Sequence, residues 1–163
     1  MKFFEDIQVG EAAGIGSYTF TAEAIKSFAA RFDPQPFHLD EEAAARSHFK
    51  RLCASGWHTV CIRMRLMIDS RRREDDERRA RGEPVAALGP SPGFRDLKWL
   101  KPVYAGDTIT YQAGVIETRT LSSWPRWGLV TSLNTAKNQH DELVMSFVSA
   151  AFVERRSPEV APE

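Results

Sequence analysis

The sequence predicts an α+β fold of one domain, in which a curled antiparallel sheet wraps around a long helix. Three observations carry this. Segments run in the order one strand, three helices, then four strands. Apolar spacing changes from 3.6 to 2 beyond Gly93. The longest helix, from Gly56, has one apolar stripe and a single sheet available to cover it. At 163 residues the chain has the usual size of one domain. A single domain over 1–163 is expected, with about 155–163 a disordered tail because it is polar and carries Pro158 and Pro162.

Ala12 to Phe20 reads as the first strand, with Gly14 and Gly16 as points of flexibility rather than half of a dinucleotide fingerprint. Thr21 can cap a helix carrying Ile25, Phe28, Ala29 and Phe32 at one-face spacing, and Pro34 ends it. Asp33 to Leu39 is expected as a loop stiffened by Pro34 and Pro36, after which Asp40 caps a short helix through Glu41, Glu42 and the alanines. Following a break at Leu52 to Gly56, Trp57, Val60, Cys61, Met64, Met67 and Ile68 form the stripe of the long helix. Asp69 to Arg81 then extends it as a charged, solvated segment with acids and arginines at helical spacing. Gly82 to Gly93, rich in proline and glycine, is a loop.

The remaining strands are marked by alternation. Leu97 and Trp99 mark one; Ile109, Tyr111 and Val115 another; Leu129, Thr131 and Leu133 a third. The last carries Leu143, Met145 and Phe147 on one face and Val144, Val148 and Phe152 on the other, so it should be covered on both. Short turns between these four imply a consecutive meander.

Charge and composition exclude several functions. Apolar residues at 42% are too many for a disordered chain, and 22 basic against 22 acidic residues leave no excess for a nucleic-acid backbone. Within residues 51–100, however, 11 basic groups face 7 acidic ones, a local excess that suits an anionic ligand. The start lacks a basic stretch followed by an apolar run, and no segment approaches the roughly 20 apolar residues of a membrane span. A soluble, cytoplasmic protein without a membrane partner is expected. Cys53 and Cys61 are expected to be buried or idle thiols. His38, His48, His58 and His140 show no metal spacing, so no metal site is expected.

Two features could carry chemistry. Asp33-Pro34-Gln35-Pro36-Phe37-His38 places a carboxylate and an imidazole five residues apart, with two prolines fixing the backbone between them. On spacing alone, Asp33 equally fits a turn cap and His38 a surface residue. Ala54-Ser55-Gly56-Trp57 opens the long helix, where unpaired N–H groups and the dipole favour negative charge. Gly56 would let a ligand approach the backbone there, although a glycine at that point also serves packing. Together they suit the addition or removal of water beside a thioester carbonyl. Asp33 and His38 would supply base and acid, and the Gly56 N–H would hold the enolate oxygen.

The loop Asp33-Pro34-Gln35-Pro36-Phe37-His38 with Leu39-Asp40-Glu41-Glu42-Ala43-Ala44 resembles the hydratase motif of the MaoC-like dehydratases, (R)-specific enoyl-CoA hydratases with the hotdog fold. Leu97-Lys98-Trp99-Leu100-Lys101-Pro102-Val103 and Ala105-Gly106-Asp107-Thr108 are similar to the family's strand and turn after the central helix. The resemblance implies a hotdog homodimer or larger homo-oligomer in fatty acid metabolism, acting on an acyl-CoA bound at the subunit interface, with coenzyme A entering in the substrate and no separate cofactor. It also implies that Asp33 and His38 activate water and that Gly56 binds the thioester oxygen; Ser55 and Trp57, beside that oxygen site, are expected to contact substrate, with Trp57 fitting a core anchor equally. Phe32 and Gln35 depart from the family's usual glycine and asparagine, and Cys61 and Met64 lie where long-chain hydratases tend to have a hydroxyl. A thioesterase and a non-catalytic acyl-CoA-binding protein remain alternatives on sequence. The basic excess of residues 51–100 is expected near the coenzyme A end of the site.

Overall fold

The structure, a computed structural model, describes residues 1–156. Most of the tail expected to be disordered, 157–163, lies outside the described residues. Its first two residues are held in place: Arg155 pairs with Glu5 at 3.3 Å and Arg156 with Asp6 at 2.6 Å.

A short 3-10 turn (Phe4–Asp6) precedes β1 (Ala12–Thr19), then come α1 (Ala22–Phe32), α2 (Pro36–Leu39), α3 (Glu41–Arg46) and α4 (Gly56–Ala80). The strands β2 (Gly93–Trp99), β3 (Thr108–Thr120), β4 (Trp127–Lys137) and β5 (Leu143–Glu154) follow. Thr21 caps α1 by accepting from the Ala24 N–H at 3.1 Å, and Asp40 caps α3 by accepting from Ala43 at 2.7 Å, both as read from the sequence. The loop expected between Asp33 and Leu39 instead closes one helical turn, because Pro36 enters at the first helical position and the Asp40 N–H reaches the Pro36 carbonyl.

One five-stranded antiparallel sheet has the order β1-β3-β4-β5-β2. The expected meander holds for β3, β4 and β5. β2 departs from it, pairing with β5 at the far edge, so the chain from β2 to β3 crosses the sheet. Alternation marks a strand without naming its neighbour. On β4 the expected alternation is broken: Thr131 is buried as expected, but so are Val130, Asn134 and Ala136, while Leu133 is 40% exposed. β5 is covered on both faces as expected, with Val144, Met145, Phe147 and Val148 all buried. In β1 the register shifts between Gly14 and Gly16, and Gly16 adopts φ +139 beside Leu66, a bulge that only glycine accommodates without strain.

The helix α4 has the expected length of helix and charged extension but turns a different face inward. His58, Thr59 and Arg63 are buried, with Ile62 and Leu66 packed against the core. Val60 and Met67 also reach the core, whereas Trp57 and Met64, each 50% exposed, and Cys61 point away from the sheet. Some of these inward polar atoms find partners, while His58 Nδ1 and Arg63 Nε find none among the described residues. The Thr59 hydroxyl donates to the Gly56 carbonyl at 2.6 Å, Arg63 donates to Asn134, and the His58 ring stacks on Phe28 at 4.4 Å.

Burial lowers the His58 pKa from 6.5 to about 4. Above pH 6.5 the ring is neutral folded or unfolded and has no effect. As pH falls from 6.5 towards 4, the unfolded chain takes up a proton that the folded chain refuses, so stability drops by up to about 1.4 kcal/mol per pH unit and levels off below 4. Urea unfolding at pH 7 and pH 5 should show this loss, and His58→Phe should remove its share; an unchanged acid dependence in the variant would show that the ring is protonated in place.

Candidate active site

The site is assembled where the end of α1, the turn α2 and the start of α4 meet. Pro34 stops α1, leaving Asp33 as its C-cap with its N–H on the Ala29 carbonyl at 2.9 Å. The turn through Gln35 to Leu39 then brings His38 back, buried at 5% exposure, with Nε2 at 3.5 Å from Asp33 Oδ2.

A third strip of chain fixes the imidazole. Residues Leu52 to Ala54 run alongside Val103 to Ala105, with the Ala54 N–H donating to Val103 at 2.7 Å and Ala105 to Leu52 at 3.0 Å. This presents the Cys53 carbonyl to His38 Nδ1 at 2.7 Å. A carbonyl only accepts, so Nδ1 carries the proton and, in the neutral ring, Nε2 keeps its lone pair. Asp33 Oδ2 and His38 Nε2 are then two acceptors facing each other, an arrangement that one two-proton donor can bridge.

Burial would raise the Asp33 pKa, but hydrogen bonds from Ser55 and Gln35 and the facing His38 outweigh it and hold the carboxyl below its ordinary value. Gln35 Nε2 lies 2.9 Å from Asp33 Oδ1. The residue that departs from the usual motif is thus the one that orients the carboxylate. Ser55, 1% exposed, accepts from the Trp57 N–H at 3.3 Å to cap α4 and directs its hydroxyl proton at Asp33.

Asp33, His38, Ser55, Gly56 and Trp57 all line one cavity of about 410 Å³, so the structure brings together every residue expected there. Among the described residues no hydrogen-bond acceptor meets the Gly56 N–H. The space beside its α-carbon is not open, however. A β-carbon at position 56 would sit 2.4 Å from the Trp99 indole, so the absent side chain makes room for Trp99. Trp99 in turn meets Trp57 edge to face at 5.4 Å, and both indoles wall the cavity.

Residues missed from sequence include Phe37, Phe49, Thr59, Trp99, Lys101 and Met145, which also line the cavity. Two of these had a readable signal: Phe37 lies within the Asp33–His38 motif, and Lys101 is a cation in the segment similar to the family's strand. Cys53 is buried as expected, its thiol pushed up to about 11 by burial, whereas Cys61 is exposed. The basic excess is not gathered here. Arg71 to Arg81 begin about 22 Å along α4 from Gly56 at 1.5 Å per residue, and Arg78, Arg79 and Arg81 are paired with Glu74, Asp76 and Glu83. Among the described residues no three His, Cys, Asp or Glu side chains group so as to hold a metal, and no helix is long and apolar enough to cross a membrane.

A curled antiparallel sheet around one long helix defines the hotdog class of domain. The chain belongs to the MaoC like domain family, whose match spans residues 7–124. A MaoC-like dehydratase of Rhodospirillum rubrum is 37% identical, with TM-score 0.82 over 96% of this chain and 99% of that one. A protein of Archaeoglobus fulgidus named as a monoamine oxidase regulatory protein is 29% identical, with TM-score 0.78 over 96% of each chain. The (R)-hydratase of A. caviae involved in PHA biosynthesis is 21% identical, with TM-score 0.63 over 90% of this chain and 97% of that one, a likeness of fold.

Proposed function

We propose that the protein is an enoyl-CoA hydratase or 3-hydroxyacyl-CoA dehydratase, moving water across the C2=C3 bond of an acyl-CoA thioester. The observation that carries this is the pair of facing acceptors, Asp33 Oδ2 and His38 Nε2 at 3.5 Å, beside a helix start with a free N–H. A water bridging the two acceptors adds its oxygen to C3 and gives a proton to His38, while Asp33, held ionised, orients it and steadies the imidazolium. The electron pair of C2=C3 moves towards the thioester oxygen, where the Gly56 N–H and the dipole of α4 hold the charge. The dyad then returns the proton to C2, so it ends as it began. The indole of Trp57 and the aromatic wall of Phe37 and Phe49 exclude bulk water from the acyl carbons.

Hydration of crotonyl-CoA and of a panel of branched and dicarboxylic enoyl-CoAs tests this reading. Absence of turnover on all of them by folded protein, or release of free thiol, would replace it with binding alone or with thioester cleavage.

The functional unit is a homodimer. The outward face of α4 carries Trp57, Cys61 and Met64 uncovered by the chain's own sheet, and Trp57 belongs to the site as well. A second copy over this face would cover the apolar surface and border the cavity. Met64→Arg should therefore shift the protein from dimer to monomer in sedimentation velocity and lower activity; a wild-type protein that sediments as a monomer would remove the dimer from the scheme.

A further inference from the structure

A second cavity, about 750 Å³, lies between the later turns of α4 and the inner face of the sheet, within the size range of ligand pockets, about 300–1,000 Å³. Its walls are apolar, with Ile15, Met67, Leu88, Val115, Val130 and Val153 among them. Two arginines of α4 enter this lining. Arg63 is 6% exposed; it donates to Asn134 Oδ1, lies 3.5 Å from the Met67 sulfur and rests over the Phe147 ring at 5.4 Å. Among the described residues its buried Nε has no hydrogen-bond partner, and neither has the buried Nη1 of Arg71.

A guanidinium out of water is costly unless an anion meets it. Burial brings the Arg63 pKa down to about 10, which leaves it charged at neutral pH. The nearby carboxylates are committed elsewhere: Glu11 to Lys2 at 2.9 Å, Glu74 to Arg78 at 3.2 Å, and Asp75 to the amino terminus. Asn134, the Met67 sulfur and the Phe147 ring supply dipoles and no net charge. The cavity thus combines a buried cation that lacks a counter-charge with a long apolar wall, the two halves of a site for an amphipathic acid.

We propose that this second cavity binds a carboxylate with an unbranched apolar body, its head at the Arg63 guanidinium and its chain along the apolar wall of β1, β3, β4 and β5. The site is distinct from the one containing Asp33 and His38 and does not depend on the hydratase reading. Arg71, two turns further along α4, adds positive potential on the same side.

Decanoate and decanol are the probes, titrated calorimetrically into the full-length protein and followed by methionine methyl NMR. Met67 lines the second cavity and Met145 the first, so each methyl reports one site. Decanoate should shift the Met67 signal, leave Met145 in place, and bind at least about tenfold tighter than decanol, the effect expected of a charge-assisted hydrogen bond. Arg63→Met should abolish that preference, and Arg71→Gln should reduce it. Equal affinity for the two probes, a shift confined to Met145, or an undiminished preference in Arg63→Met would overturn the proposal. Should Arg63→Met fail to fold, the methyl map and the decanoate–decanol comparison on wild-type protein decide it alone.

Discussion

Replacing His38 by Gln, or Asp33 by Asn, should lower kcat for enoyl-CoA hydration by about 10²–10⁴-fold while leaving the fold intact. Each change keeps a side chain of similar size, so the walls of the cavity stay in place. His38→Gln removes the lone pair that faces Asp33 and leaves no group able to take a proton at neutral pH. Asp33→Asn keeps the contact with Gln35 but exchanges an acceptor for an amide and removes the charge opposite the imidazolium. Hydrogen bonds from Ser55 and Gln35 hold the Asp33 carboxyl below its ordinary value, so Asp33 stays ionised opposite the imidazole wherever the imidazole can accept a proton. Ser55→Ala should bring that carboxyl back towards its ordinary value and lower kcat/KM by loosening the carboxylate. Steady-state kinetics with circular dichroism of each variant measures both effects, and wild-type turnover in either dyad variant would take that residue out of the mechanism.

Gly56→Ala should cost both stability and activity, for one steric reason. The added methyl would lie within 2.4–2.8 Å of three atoms of the Trp99 indole, closer than carbon atoms pack. Trp99 must move, and its edge-to-face contact with Trp57 moves with it. Overpacking of this kind costs about 1–3 kcal/mol, or roughly 2–4 °C in Tm per kcal/mol for a chain of this size. Two walls of the cavity shift together, so kcat/KM should fall at least about tenfold even though the Gly56 N–H is retained. The double variant Gly56→Ala, Trp99→Leu separates the causes. It should regain most of the lost Tm, since the smaller side chain vacates the place of the methyl. A Gly56→Ala protein as stable as wild type would mean that Trp99 yields freely.

The Asp33/His38 pair and the start of α4 were legible in the sequence because each rests on a local device: prolines that end a helix and restart a turn, and a serine–glycine helix opening. Covalent spacing carries such information directly. What could not be read depends on partners distant in the chain. Trp99 reaches Gly56 only because β2 pairs with β5 at the sheet edge, a neighbour that alternation does not specify. The inward face of α4 was misread because the apolar stripe was assumed to seek the sheet. His58, Thr59 and Arg63 turn inward instead, His58 stacked on Phe28, Thr59 bonded to the Gly56 carbonyl and Arg63 to Asn134, and part of the stripe is left uncovered. Periodicity shows that a helix has two faces, while the choice between them was made by side chains on other elements.

His38 owes its tautomer to the carbonyl of Cys53, and that carbonyl is held by the pairing of Leu52 to Ala54 with Val103 to Ala105. The anchor is main chain, so no change of one side chain can delete it directly. Position 53 is therefore open to small buried residues that leave its carbonyl in place, while the Cys53 sulfur, 3.8 Å from the same Nδ1, adds only a weaker contact. The proton-handling group of this site is insured by backbone geometry, and mutations that silence it should collect at Asp33 and His38 themselves or at residues that break the pairing of two strips of chain.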